Sequence, residues 1–391
     1  MGKLLFELTN EQRKYLGLIP VEEHWELVRL NDMYLYFDND VIRKKIVATN
    51  NSYIEQELCE KTSENRTILL PKTARGKPKK LNFTATQSFS PFGVYFNFLS
   101  TGYISIANYT TQTTFFSGNL GKDKTIEDLK KWIDQWIAET TEEDLSEIES
   151  FKSAKRQHCK FKEGDFFIFK IGRRNWGFGR ILIDIAKLRK DKNFRLKKNY
   201  GLDNFMGKAL IVKIYHKIAD TQCINLNELS NCTALPAQPI MDNHFYYGEN
   251  KIIGHKELNL NDYSDMLISY GRSISSKDRE TVYLQYGLIF KEANISKFDK
   301  YLVENEKNQY GYYEENPYRN ESIGFGLDIE KLEQCIAEKS NQPYWNSNHH
   351  YKIKNDLRNP KNISIKREIF SAFGLDADKS YAENLKLIKS N

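Results

Sequence analysis

The chain reads as an α+β protein: two mostly antiparallel sheet domains with flanking helices, followed by a helical C-terminal extension. Three observations carry that reading. Apolar runs separated by only a few residues fill positions 25–107, and connections that short cannot cross over between parallel strands. A second set of such runs starts at Phe161 and ends near residue 253. Helical spacing of apolar side chains dominates residues 124–137 and returns after Ser296.

Taken in order, Thr9 caps a short helix over residues 11–18 that stops around Gly17 and Pro20. Strands are expected at 25–30 and 33–37, joined by the two-residue turn Asn31-Asp32, and then at 41–48, 67–70, 93–99 and 103–107. Ile126, Leu129, Trp132, Ile133, Trp136 and Ile137 form a wide apolar stripe, with Thr125 and Asp128 set as a capping box. The acidic, helix-favouring stretch 140–150 follows and places a domain boundary near residue 150. Beyond it, residues 161–171 and 176–182 read as two strands around the polar turn Gly172-Arg173-Arg174-Asn175. Gly177 and Gly179 alternate there with Trp176 and Phe178, so one face of the return strand is nearly bare and predicts a backbone, a helix or a ligand against it. Residues 208–216 read as a buried strand, while Tyr246, Tyr247, Ile252 and Ile253 mark a strand or hairpin around 248–250. Later, the polar, tyrosine-rich stretch 308–320 suits an exposed loop, Asp328 is set as N-cap of a helix reaching 337, and 363–387 gives two short helices broken at Gly374. The expected domains are residues 1–150, an α+β module; 151–295, a β-rich domain; and 296–391, a helical extension packed on the second domain.

Composition narrows the function classes. With 391 residues, 40% of them hydrophobic and 23 each of Tyr and Phe, the chain can bury more than one core. No apolar run approaches the ~18–20 residues needed to span a bilayer. Residues 1–9 carry a charge inside a short apolar patch and no small-residue cleavage site, and Phe6 breaks a myristoylation pattern, so no membrane association is expected. Five cysteines without a Cys-x-x-Cys pair argue against a disulfide framework and a zinc knuckle. The expected location is therefore the cytoplasm. A net charge of +6 and a pI near 8.7 fall short of the value above ~9 common in strong nucleic-acid binders, and they favour an acidic partner surface.

Several motifs compete with bland readings. Lys72, Arg75, Lys77, Lys79 and Lys80 crowd the loop 71–80, either as a contact for phosphates or an acidic partner or as a solvated connection; no aromatic lies within the loop to stack on bases. Arg173, Arg174, Trp176 and Arg180 form the densest cation–aromatic cluster, and Arg and Trp carry energy in desolvated interface centres. Against that, Trp176 and Phe178 can be core and the arginines solvated turn residues. His244 and His255 flank Tyr246 and Tyr247 and can meet across a hairpin, whereas the adjacent His349 and His350 point apart on any regular element. No phosphate-cradling loop and no nucleophile elbow occurs. No catalytic residue, metal ligand or cofactor is expected.

The blocks Lys162-Glu163-Gly164-Asp165-Phe166-Phe167, Trp176-Gly177-Phe178-Gly179-Arg180-Ile181, Asp242-Asn243-His244-Phe245-Tyr246-Tyr247-Gly248 and Ile252-Ile253-Gly254-His255-Lys256-Glu257-Leu258 follow one another in order. Residues 159–258 thereby resemble the immunity protein 26 family, whose label also carries the word phosphotriesterase. The preceding region, with residues 8–18 and the 70–80 loop, resembles a module that accompanies such domains in bacteria. The resemblance implies an immunity protein of a bacterial polymorphic toxin system, which binds and neutralises one cognate protein toxin and is not an enzyme. Its partner-binding surface would draw on Arg173, Arg174, Trp176, Arg180, His244, Tyr246, Tyr247 and His255. The other half of the label implies a phosphotriesterase-like hydrolase, which needs a cluster of His, Asp or Lys around a cation. A third reading is a nucleic-acid-associated defence or regulatory protein acting through the basic loop.

Overall fold

The computed structural model describes residues 6–30, 33–70, 72–195, 199–274, 277–302, 316–347 and 355–390, and the chain divides into two compact units, Met1–His158 and Cys159–Asn391. The expected turn Asn31-Asp32, the pair His349-His350 and residues 308–315 of the tyrosine-rich loop lie outside the described residues.

The strands of the first unit are β1 (Glu26–Leu30), β2 (Met33–Asp38), β3 (Val41–Ala48), β4 (Tyr53–Ser63), β5 (Ile68–Leu70), β6 (Lys79–Lys80), β7 (Phe92–Phe98), β8 (Tyr103–Asn108) and β9 (Thr113–Asn119). They form one antiparallel sheet in the order β1-β2-β3-β4-β7-β8-β9, with β5 and β6 added as a ribbon on the far half of β4. The amphipathic helix Ile126–Ala138 lays Leu129, Ile133 and Trp136 on Ile46, Tyr53, Phe96 and Ile106 of this sheet. Its start is fixed as the sequence predicts, since the Asp128 carboxylate accepts from both the Thr125 amide and hydroxyl.

Sequence patterning missed β4, the strand at the middle of that sheet. Its inward positions include Tyr53, Glu55 and Glu57, so acids stand where an alternating strand shows apolar residues. Glu55 is fully buried and accepts from the Arg13 guanidinium (Nε, 2.9 Å), the Lys44 ammonium and the Tyr53 hydroxyl (2.5 Å). Arg13 comes from the capped helix Asn10–Tyr15 and also bonds Glu7. The backbone of Ile19 is held from both sides: its amide donates to Glu57 (3.1 Å) and its carbonyl accepts from Lys44 (2.8 Å). The N-terminal segment is thus pinned to β3 and β4 by paired charges in the interior. Burial pushes the Glu55 carboxyl up, but Lys44 and Arg13 outweigh it and hold it below the usual range. Glu57 has less compensation, and burial raises it from 4.5 to about 7.

The second unit holds a five-stranded antiparallel sheet of β10 (Asp165–Ile171), β11 (Asn175–Asp184), β12 (Ala209–Ala219), β13 (Gln238–Met241) and β14 (Lys251–His255), in the order β13-β12-β11-β10-β14. The bare side of β11 is filled by its neighbour. Phe167 and Phe169 face Gly179 and Gly177 in register, and a Cβ on either glycine would stand 2.3 Å from a ring carbon. One sheet face then packs Phe167, Phe169, Ile181 and Val212 against Phe245, Leu332 and Tyr344; the other packs Phe166, Ile168, Trp176, Phe178 and Tyr215 against Leu229. A three-stranded sheet of β15 (Ile268–Arg272), β16 (Thr281–Tyr286) and β17 (Ile289–Asn294) shares a third cluster with Ile369, Phe370 and Tyr381 of the two C-terminal helices, Ile363–Ala372 and Tyr381–Ser390.

Three local expectations are corrected. Tyr246 ends the short helix Asn243–Tyr246, whose carbonyls at Asp242 and Asn243 accept from Tyr246 and Tyr247, so that segment is not a strand. The helix expected from Asp328 begins at Leu332, because the Gln238 side chain takes up both the amide and the carbonyl of Asp328 (2.9 Å each). The polar turn between β10 and β11 is one residue shorter than expected, since Asn175 already pairs with Ile171.

Two outcomes are expected in the first unit. Glu55→Ala strips the buried Lys44 of its bonded carboxylate and leaves Arg13 with Glu7 alone, and costs about 3–5 kcal/mol, read from amide exchange of β3 and β4; a loss below about 1 kcal/mol would show that the cluster does not hold the segment. The raised Glu57 imposes no cost below pH 4.5, where it is protonated folded or unfolded, and a growing one as pH rises towards 7. Stability of this unit therefore falls by up to about 3 kcal/mol across that window, and Glu57→Gln flattens the profile. The Glu55 contribution has the opposite sign and is lost only as pH falls below the ordinary glutamate value.

Candidate functional site

The groups that sequence reasoning singled out in the second unit lie around β14 and the β10–β11 turn. β14 is an edge strand that pairs within its sheet only with β10. At one end of this pair stand the turn residues Arg173, half-buried, and Arg174, exposed. Trp176 beside them is 8% exposed, with the Lys170 and Lys251 ammonium groups 5.5 and 5.6 Å from its ring centroid. The expectation of Trp176 as a surface contact is therefore corrected: its ring belongs to the core under Leu229, and lysines from β10 and β14 present the charge above it.

Arg180 is corrected in the same way. It is 1% exposed, its guanidinium lying 4.5 Å from the centre of the Phe166 ring. It donates to Asp262 at 2.6 Å and to the carbonyls of Lys256 (2.6 Å), Glu257 (3.2 Å) and Gly164 (3.4 Å). A planar donor fork suits this task, because its three nitrogens point at four acceptors on separate loops. The side chain ties the loop before β10 to the loop after β14. Asp262 lies 82 residues away in sequence, so spacing alone gives no hint of the pair.

His255 sits on the rim of that clamp. Its Nδ1 lies 2.8 Å from the buried Asp165 carboxylate and its Nε2 lies 3.0 Å from the exposed Glu257. Asp165 also accepts the amide of Lys162 at 2.9 Å, which locks its orientation. His244 has a separate partner, Glu249, at 2.9 Å. Burial lowers the His244 imidazole, and the hydrogen bond and charge of Glu249 raise it by more, so it stands above its ordinary value. The two histidines thus do not share a carboxylate set as expected of a common site. Among the described residues, no group of three or more His, Cys, Asp or Glu is arranged to hold a metal ion. Tyr246 and Tyr247 are half-buried with ring centroids 5.1 Å apart, and Lys208 lies over Tyr246 at 5.4 Å.

These groups do not gather at one point: the arginine turn adjoins the Lys251 end of the β10–β14 pair, while His255 stands at its Asp165 end. In the first unit, the basic loop leads from β5 to β6, and residues 72–78 are all exposed. Lys79 is half-buried and bonds Ser88, while Lys80 is exposed.

Arg180→Met is expected to cost about 3–5 kcal/mol by stranding Asp262, and to speed amide exchange at residues 256–262 before the rest of the sheet opens. Uniform acceleration across all five strands would show that Arg180 supports the sheet as a whole and not this rim.

The comparisons bear on the same segment. The family model described as Immunity protein 26 matches residues 162–280, running from just before β10 to just before β16. No curated protein and no solved structure matches the chain. The match leaves the first unit and the C-terminal helices outside it, and covers β10 to β15 with the Arg180 clamp and the His255 rim: residues 162–280 of this chain are similar to the Immunity protein 26 family.

Proposed function

We propose that the chain is an immunity protein that binds a cognate toxin of a bacterial polymorphic toxin system and blocks it by occupancy. The observation that carries this reading is the match over residues 162–280. The geometry of that segment supports it, because Arg180 and Asp262 are satisfied within the chain and fix the loops around β14 before any partner arrives. Such preformed surfaces lose little entropy on binding, and about 800 Å² per partner is the usual size of a specific interface. We assign the contacts to Arg173, Arg174, Tyr246, Tyr247, His244 and His255, and we add Lys170 and Lys251, which lie over Trp176. Arg180 and Trp176 act from below, one by fixing the loops and the other by seating the two lysines.

The test is co-expression with the toxin encoded beside this chain. Growth is rescued by the wild-type chain, and the two proteins co-elute in equal amounts. Arg174→Glu combined with Tyr247→Ala weakens the complex by about 30-fold or more, the range of a truncated interface anchor, and rescue fails. Rescue without a detectable complex would sink direct neutralisation.

A further inference from the structure

The first unit carries a charge asymmetry that the toxin-binding reading leaves unused. Between Glu64 and Asp123 the sequence contains no acidic residue, yet it holds Arg66, Lys72, Arg75, Lys77, Lys79, Lys80 and Lys122. The structure gathers five of these on the β5–β6 ribbon and its connecting loop. Lys72, Arg75, Lys77 and Lys80 are exposed, and no ion pair engages them among the described residues. Arg66 at the foot of the ribbon differs, being held by Glu26 and lying over the Phe37 ring. The loop is ordered by its own chain: Gly76 donates to the Thr73 carbonyl (2.8 Å), Thr73 to the Lys77 carbonyl (3.1 Å), and the Lys77 amide to the Thr73 hydroxyl (3.2 Å). Gly76 takes a positive φ of 73° to close it.

The same acid-free stretch exposes rings. Phe83, three residues after Lys80, is 43% exposed, and Phe92 at the head of β7 is 42% exposed. The helix Phe83–Thr86 is anchored beside the ribbon, since Ala85 and Phe89 share a core cluster with Leu69 of β5 and Leu58 of β4 and Lys79 reaches Ser88; Phe92 pairs with Glu57 of β4, four residues before Lys61, where β5 joins the same strand. An ordered cationic loop without counter-charges, next to solvent-facing aromatic rings, is what a phosphate backbone and unstacked bases require of a protein surface.

We propose that the β5–β6 ribbon, with Phe83 and Phe92, is a binding site for single-stranded nucleic acid. The cations meet successive phosphates and the rings stack on bases. This inference is independent of the toxin-binding surface and involves only the first unit.

Fluorescence anisotropy of the full chain with a labelled oligothymidylate of about 20 nucleotides tests it. Four phosphate contacts predict a log–log salt slope near −3, a loss of about 50-fold in affinity between 50 and 200 mM salt. The combined variant Lys72→Gln, Arg75→Gln, Lys77→Gln, Lys80→Gln brings that slope close to zero with an unchanged melting temperature. Phe83→Ala with Phe92→Ala weakens binding by about 5-fold or more while leaving the slope in place. No anisotropy change at 50 mM salt, or an unaltered slope in the four-fold variant, would overturn the proposal. Equal competition by polyglutamate of the same charge, with no effect of the two phenylalanines, would also overturn it and point to an acidic protein instead.

Discussion

A charge withdrawn from water must meet an opposite charge and hydrogen bonds, or the fold loses several kcal/mol at that point. Each unit of this protein contains such a group at a junction of loops. In the first, Glu55 collects Arg13, Lys44 and Tyr53, and through them the N-terminal segment is attached to the middle of the sheet. In the second, Arg180 collects Asp262 and three carbonyls, and through them the loops flanking β10 and β14 are attached to one another. Apolar packing supplies the bulk of the interior in both units. The paired charges specify which loop sits where.

That division decides how much the sequence discloses. Elements held by apolar periodicity are legible: the stripe on Ile126–Ala138 and the glycine-aromatic return strand carry their structure in local spacing. Elements held by buried charge are not. β4 places Glu55 and Glu57 on its inward side and so escapes a pattern built on apolar alternation, although Tyr53, Glu55 and Glu57 keep a period of two that reveals a strand once acids are admitted inside. Arg180 reads from sequence as a surface arginine because its acceptors lie on distant loops, and Trp176 reads as an exposed anchor because its covering helix is fifty residues downstream. The Tyr246-Tyr247 pair misleads for another reason, since aromatic β-propensity yields there to a single helical turn.

The functional reading follows from the same economy. Around β14, Asp165 holds His255 and Glu249 holds His244, so these side chains are fixed by the chain itself. The proposed recognition draws on that fixed charge. The first unit differs in character, with an acid-free stretch whose Lys72, Arg75, Lys77 and Lys80 are exposed and engaged by no ion pair among the described residues.

The two glycines of β11 have a consequence for how this sheet can change. Each yields its volume to a phenylalanine ring across the ladder, so either glycine and its ring fill one space between them. A methyl group gained on one strand demands carbon lost from the other, and a lone change in either direction leaves a collision or a void. These positions are therefore free to drift only as couples, and the inner hairpin of the sheet must evolve as a single unit while the lysines beside it vary singly.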